Sequence, residues 1–143
     1  MSVERMRKNK RRICFVMMVV FALLLSCAGR GPEGAAERFA DLGTHRLRAI
    51  VAGEGTPAVV IEAGVGAGAG EYAALQEGLA VRTMVIAYDR AGYGGSGEGP
   101  LPRGAEREAE ELKRMLEALG IPGPYLLVGH SLGGLNAQVF ADL

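Results

Sequence analysis

One tight turn between two regular elements constrains this chain more than any other feature. Leu127-Val128-Gly129-His130-Ser131-Leu132-Gly133-Gly134 closes an apolar run, Tyr125–Gly129, and precedes Leu135–Leu143, which reads as a helix. In so sharp a bend, side chains two places before and two places after Ser131 would collide with neighbouring backbone, and glycine stands at both, Gly129 and Gly133. Ser131 is then expected in a strained conformation, its hydroxyl above the carboxyl edge of a sheet. The helix behind it would aim backbone N–H groups, and the positive end of its dipole, at developing negative charge. The bland alternative is an ordinary glycine-rich turn, since Gly-x-Ser-x-Gly alone recurs by chance.

The rest of the body supplies the setting that the turn needs. Arg46–Val51 alternates polar and apolar, as a strand near a sheet edge does. Ala58–Ala63 and Thr83–Tyr88 are almost continuously apolar, as strands buried on both faces require, and Tyr125–Gly129 is a fourth strand. Between them, Glu71–Leu79 reads as a short helix. Glu106–Leu119 is a clearer one, with Ala109, Leu112, Leu116 and Leu119 on one face and Glu108, Glu110, Glu111, Lys113 and Arg114 outside it. Gly120 and Pro122 end it. Strands alternating with helices predict an α/β fold, a mostly parallel sheet with flanking helices and right-handed crossovers.

Three segments now resemble the α/β-hydrolase family, in its branch of small esterases, lipases and peptidases. Ile61-Glu62-Ala63-Gly64-Val65-Gly66 sits where that family places its first oxyanion loop, with Ala63-Gly64 where His-Gly is common. Tyr88-Asp89-Arg90-Ala91-Gly92-Tyr93-Gly94-Gly95-Ser96 is similar to its Asp-Arg-x-Gly-x-Gly-x-Ser turn, and Gly129–Gly134 to its nucleophile elbow. The resemblance covers roughly residues 45–143. It implies a partial α/β-hydrolase fold, truncated after the elbow helix, with residues 44–143 its N-terminal half. It also implies Ser131 as nucleophile, Leu132 and Val65 as backbone oxyanion donors, and hydrolysis of a small-molecule ester or amide through an acyl-Ser131 intermediate. No metal or organic cofactor is implied. Serine at 131 argues against a halide-displacing relative, which would need a carboxylate there. A flexible connector is the alternative for Gly64–Gly70.

Serine needs a base, and the base an orienting acid; in this fold the chain order is Ser, then Asp or Glu, then His. Only twelve residues follow Ser131, without a His. Asp142, eleven residues along a helix, would stand about 16 Å away. His130 shares the elbow, where successive side chains diverge, and is expected to pack or hydrogen-bond beside the site. His45 reads as a surface residue. The missing acid and His predict a fragment of a longer protein; the alternative reading is a non-catalytic remnant or tethered binding module. Gly92–Gly97 fits G-x-G-x-x-G, but the chain continues Glu98-Gly99-Pro100-Leu101-Pro102, which cannot open the helix a dinucleotide needs.

Formal net charge is zero, yet residues 1–12 hold six basic groups against one acid, leaving the remainder at −5. An acidic body does not read as a nucleic-acid binder. The basic cluster precedes thirteen apolar residues, 13–25, about 20 Å as a helix against a ~30 Å hydrocarbon core. That is the grammar of an export signal. Leu24-Leu25-Ser26-Cys27-Ala28-Gly29 resembles the bacterial lipobox, which implies lipidation of Cys27, membrane attachment through it and a place in the cell envelope. Cleavage without lipid, hence secretion, and an uncleaved anchor are the alternatives. Residues 28–43 read as a tether. Cys14 and Cys27 are the two cysteines, so the body has none for a disulfide or a Cys-ligated metal.

Overall fold

The computed structural model describes residues 34–143. The expected signal over residues 1–27, with Cys27, and the start of the tether lie outside the described residues. Five strands make one sheet: β1 (Ala36–Asp41), β2 (Arg46–Ala52), β3 (Ala58–Glu62), β4 (Val85–Tyr88) and β5 (Tyr125–Gly129). A 3-10 turn, Ala69–Tyr72, runs into helix α1 (Ala73–Ala80); α2 spans Ala105–Ala118 and α3 spans Leu132–Ala141. The strand order is β1-β2-β4-β3-β5.

The architecture is α/β with flanking helices, and its sheet is mixed, which corrects the mostly parallel one expected. β3 pairs in parallel with β4 and with β5, while β2 pairs antiparallel with both β1 and β4. The physical reason lies in the connections. The links from β3 to β4 and from β4 to β5 each contain a helix and return the chain to the same end. The short Leu42–His45 link, closed by Leu42 N–H donating to His45 O at 2.9 Å, can only reverse direction. β1 is a second correction: residues 36–41 belong to the sheet, not to a tether.

Alternation in the buried strands sorts the core into two halves. Val60, Ile86 and Tyr88 face one side, against Leu112, Met115 and Leu116 of α2 and Phe140 of α3. Val59, Ile61, Val85 and Ala87 face the other, against Ala69, Leu79 and Ala80. Both faces of β3 and β4 are therefore covered, and their apolar runs follow from that. Each fully buried Leu or Met contributes about 2–3 kcal/mol.

α2 carries Glu106 and Glu108 in its first turn, where the dipole favours acids. It ends in a Schellman turn: Gly120 takes φ 66°, its N–H donates to Glu117 O, and Ile121 N–H reaches back to Leu116 O. Glu111 departs from the expected outer face. It is buried, its two oxygens accepting from both terminal nitrogens of Arg103 at 2.7 Å, with His45 Nε2 at 3.5 Å. His45 is thus a buried partner of Glu111 and not a surface residue.

Candidate active site

β3 and β5 are neighbours running in parallel, so the loops leaving their carboxyl ends meet. His130 N–H donates to Glu62 O at 3.0 Å and ties the two exits together. Within the bend Ser131 adopts φ 54°, ψ −119°, the only non-glycine residue at positive φ among the described residues. Such a conformation costs about 1–3 kcal/mol and persists only where its surroundings impose it. The surroundings are visible. A Cβ at Gly129 would lie 2.6 Å from Gly133 O and from Gly134 N, and one at Gly133 would lie 2.7 Å from Ala63 O. Ser131 is exposed, its side chain does not cap α3, and Gly133 and Gly134 N–H bond back to His130 O and Ser131 O. Leu132 N–H is left without an acceptor among the described residues.

The loop after β3 is held from two sides. Arg90, buried, donates through Nη1 to Ala63 O and through Nη2 to Gly64 O, the latter at 2.7 Å. Its charge is balanced by Glu62 Oε2 at 3.6 Å and Glu108 Oε2 at 3.4 Å. On the other side, Gly64 N–H donates to Tyr72 Oη at 3.2 Å, and that hydroxyl lies 3.0 Å from His130 Nδ1. An N–H can only donate, so Oη accepts from Gly64, and the imidazole tautomer sets which of Oη and Nδ1 gives the proton in their bond. Either way, Nδ1 is engaged by Tyr72. Val65 follows, its side chain 70% exposed, its N–H without an acceptor among the described residues.

Glu62 closes β3 at full burial. Tyr88 Oη donates to its Oε1 at 2.6 Å, but burial outweighs that bond and the Arg90 charge, and pushes the carboxyl up to about 7. Asp89, also buried, accepts from Ala69 N–H at 2.7 Å and Gly95 N–H at 2.9 Å, and pairs with Arg48 at 3.0 Å. Ser96 Oγ donates to Asp89 O and accepts from Arg48 N–H. Asp89 is thus consumed by its turn, and Gly92–Gly97 is a turn that opens no helix. Sequence reasoning missed Tyr72 and the reach of Arg90 into the loop after β3. A signal existed for Arg90: Glu62 is a charge inside an otherwise apolar buried run, and such a charge demands a partner.

Among the described residues no three His, Cys, Asp or Glu side chains gather around a common point. A cavity of about 470 Å³ lies at the start of α2, lined by Arg103, Glu106, Arg107, Glu110 and Val139 among others, away from both loops of the site.

Comparison with known proteins decides the family. The family model described as alpha/beta hydrolase fold matches residues 57–143. The chain belongs to the alpha/beta hydrolase family. A protein of Azorhizobium caulinodans named as a carbamate hydrolase, RutD, is 40% identical over 103 residues, 72% of this chain and 38% of its own length. One of Hormonema carpetanum named as a transporter, efuK, is 35% identical over 106 residues, 70% of this chain and only 15% of that protein. Among solved structures, the epoxide hydrolase CorEH superposes with a TM-score of 0.69 at 26% identity, covering 75% of this chain and 37% of CorEH. The chain thus spans well under half the length of these alpha/beta hydrolase relatives. Proteins named for differing chemistries match these residues, so the likeness shows the fold and not a substrate.

Proposed function

We propose that the full-length protein hydrolyses an ester, or an amide, through an acyl-Ser131 intermediate. The single observation carrying this reading is the strained, exposed Ser131 at a strand-to-helix bend with Leu132 N–H and Val65 N–H both unclaimed nearby. Ser131 Oγ attacks the acyl carbon, the two N–H groups receive the oxyanion, the leaving group departs, and water releases the acid. Gly129 and Gly133 clear the bend. The base and acid are expected on segments beyond these residues, since His45 Nε2 faces Glu111 and His130 Nδ1 faces Tyr72. That same observation favours the second reading for residues 1–143 taken alone: a non-catalytic remnant or tethered module.

The test is fluorophosphonate labelling of the longest polypeptide that the gene encodes in frame. An adduct on Ser131 that vanishes in Ser131→Ala supports the enzyme; no adduct supports the remnant. Translating past codon 143, in search of an Asp or Glu and then a His, is the inexpensive companion.

Export and attachment belong to the proposal as well. Basic residues, a short apolar run and Leu24–Cys27 support lipidation at Cys27, placing the body at the envelope membrane. Incorporation of an alkyne-tagged fatty acid, lost in Cys27→Ser, is the expected result. A cleaved but lipid-free product in the medium would favour secretion instead.

A further inference from the structure

We infer that Arg90 and Tyr72 are positioning residues that aim the Val65 N–H of the oxyanion hole, an inference resting on the acyl-Ser131 reading above. The argument starts from the peptide unit. A trans peptide is planar, so its C=O and N–H point in opposite directions. Gly64 O and Val65 N–H belong to one such unit, and Arg90 Nη2 grips that oxygen at 2.7 Å from within the protein. Fixing the carbonyl inward fixes the N–H outward. The charge on the guanidinium also polarises the unit, making Val65 N–H a stronger donor.

The preceding unit is held at both ends. Arg90 Nη1 takes Ala63 O, and Tyr72 Oη takes Gly64 N–H from the opposite side. Two consecutive peptides therefore have no rotation left, and Gly64, the residue between them, is buried. A Cβ at Gly64 would stand 2.9 Å from His130 Nδ1, so the loop sits directly against the elbow it serves. The planar guanidinium brings one rigidly placed nitrogen to each of the two successive carbonyls; a lysine at 90 keeps the charge opposite Glu62 and Glu108 but offers one shorter ammonium without that fixed geometry.

The experiment uses the longest in-frame polypeptide, unaltered and as Arg90→Lys and Tyr72→Phe. Gly-Val occurs once in residues 1–143, at 64–65. Carbonyl-13C glycine with 15N valine therefore reports this peptide unit as one NMR cross-peak from these residues. The cross-peak is expected to move in both variants. Phosphonylation of Ser131 and kcat for p-nitrophenyl acetate are expected to fall on the order of 10- to 100-fold in Arg90→Lys, below the cost of losing a donor outright. In Tyr72→Phe the fall is about fivefold, as for one neutral hydrogen bond. KM stays within about twofold in both, because the oxyanion develops only in the transition state. An unmoved cross-peak, or unchanged phosphonylation in a folded variant, overturns the inference. If Arg90→Lys does not fold, Tyr72→Phe decides alone. Absence of label on the unaltered protein overturns the reading of Ser131 first and removes this inference with it, a different failure from equal labelling of all three proteins.

Discussion

Gly133 rests against Glu62 so closely that a Cβ at position 133 would stand 2.5 Å from the Glu62 carbonyl carbon. This contact, between the first turn of α3 and the last residue of β3, sets the depth at which the elbow sits. Gly133→Ala is expected to lose more than about 3 kcal/mol, because backbone on both sides must move. Gly134→Ala, one residue on, meets only Gly129 O at 3.9 Å. It should leave stability unchanged or raise it by up to about 1 kcal/mol, since alanine favours helix. Urea denaturation of the two variants checks the contrast.

Burial raises the Glu62 carboxyl to about 7, so the folded chain favours its neutral form. The sign follows: folding takes up a proton where an exposed Glu is already ionised. The contribution is fullest at low pH and is lost as pH rises through about 7. Between pH 5 and 8 the protein should lose about 2–3 kcal/mol relative to Glu62→Gln, in which Arg90 and Glu108 still face the site but position 62 no longer titrates. Parallel stability–pH curves for the two proteins would contradict this.

Asp89 joins the end of the loop after β3 to the turn after β4, through Ala69 and Gly95 N–H. Asp89→Asn keeps one acceptor oxygen but loses the charge that answers Arg48 in a buried place, and should cost about 2–4 kcal/mol. Glu37, the other carboxylate on Arg48, is half exposed, and Glu37→Gln should change stability by less than about 1 kcal/mol. Thermal melts of both variants are sufficient.

β3, β4 and α2 were legible because each announces itself locally: a doubly buried strand is apolar almost throughout, and an amphipathic helix repeats every three to four residues. β1 was not. Ala36-Glu37-Arg38-Phe39-Ala40-Asp41 has charges at three of its six places and buries only Ala40, because an edge strand covered on part of one face need not be apolar. The elbow was legible from its glycines, which answer to backbone four or five residues away or to the end of the strand beside it. Tyr72 was not legible, since its partners Gly64 and His130 lie 8 and 58 residues away and nothing in its own neighbourhood marks it. His45 read as surface for the same reason: its burial is made by Glu111, on another element.

β5 lies at the edge of the described sheet, hydrogen-bonded to β3 alone, with Leu126 55% exposed. A polypeptide of residues 28–143 should therefore self-associate, as an open apolar edge does. Leu126→Lys should shift it toward monomer on size-exclusion chromatography with light scattering. A monomeric, cooperatively melting polypeptide without that substitution would contradict the expectation.

The His130–Glu62 bond joins two loops that leave adjacent strands, and Arg90, Tyr72 and Gly133, which hold those loops, all lie between Glu62 and the first turn of α3. If the acyl-Ser131 proposal holds, the corner that receives negative charge keeps its shape from within, whatever segments choose the molecule that enters.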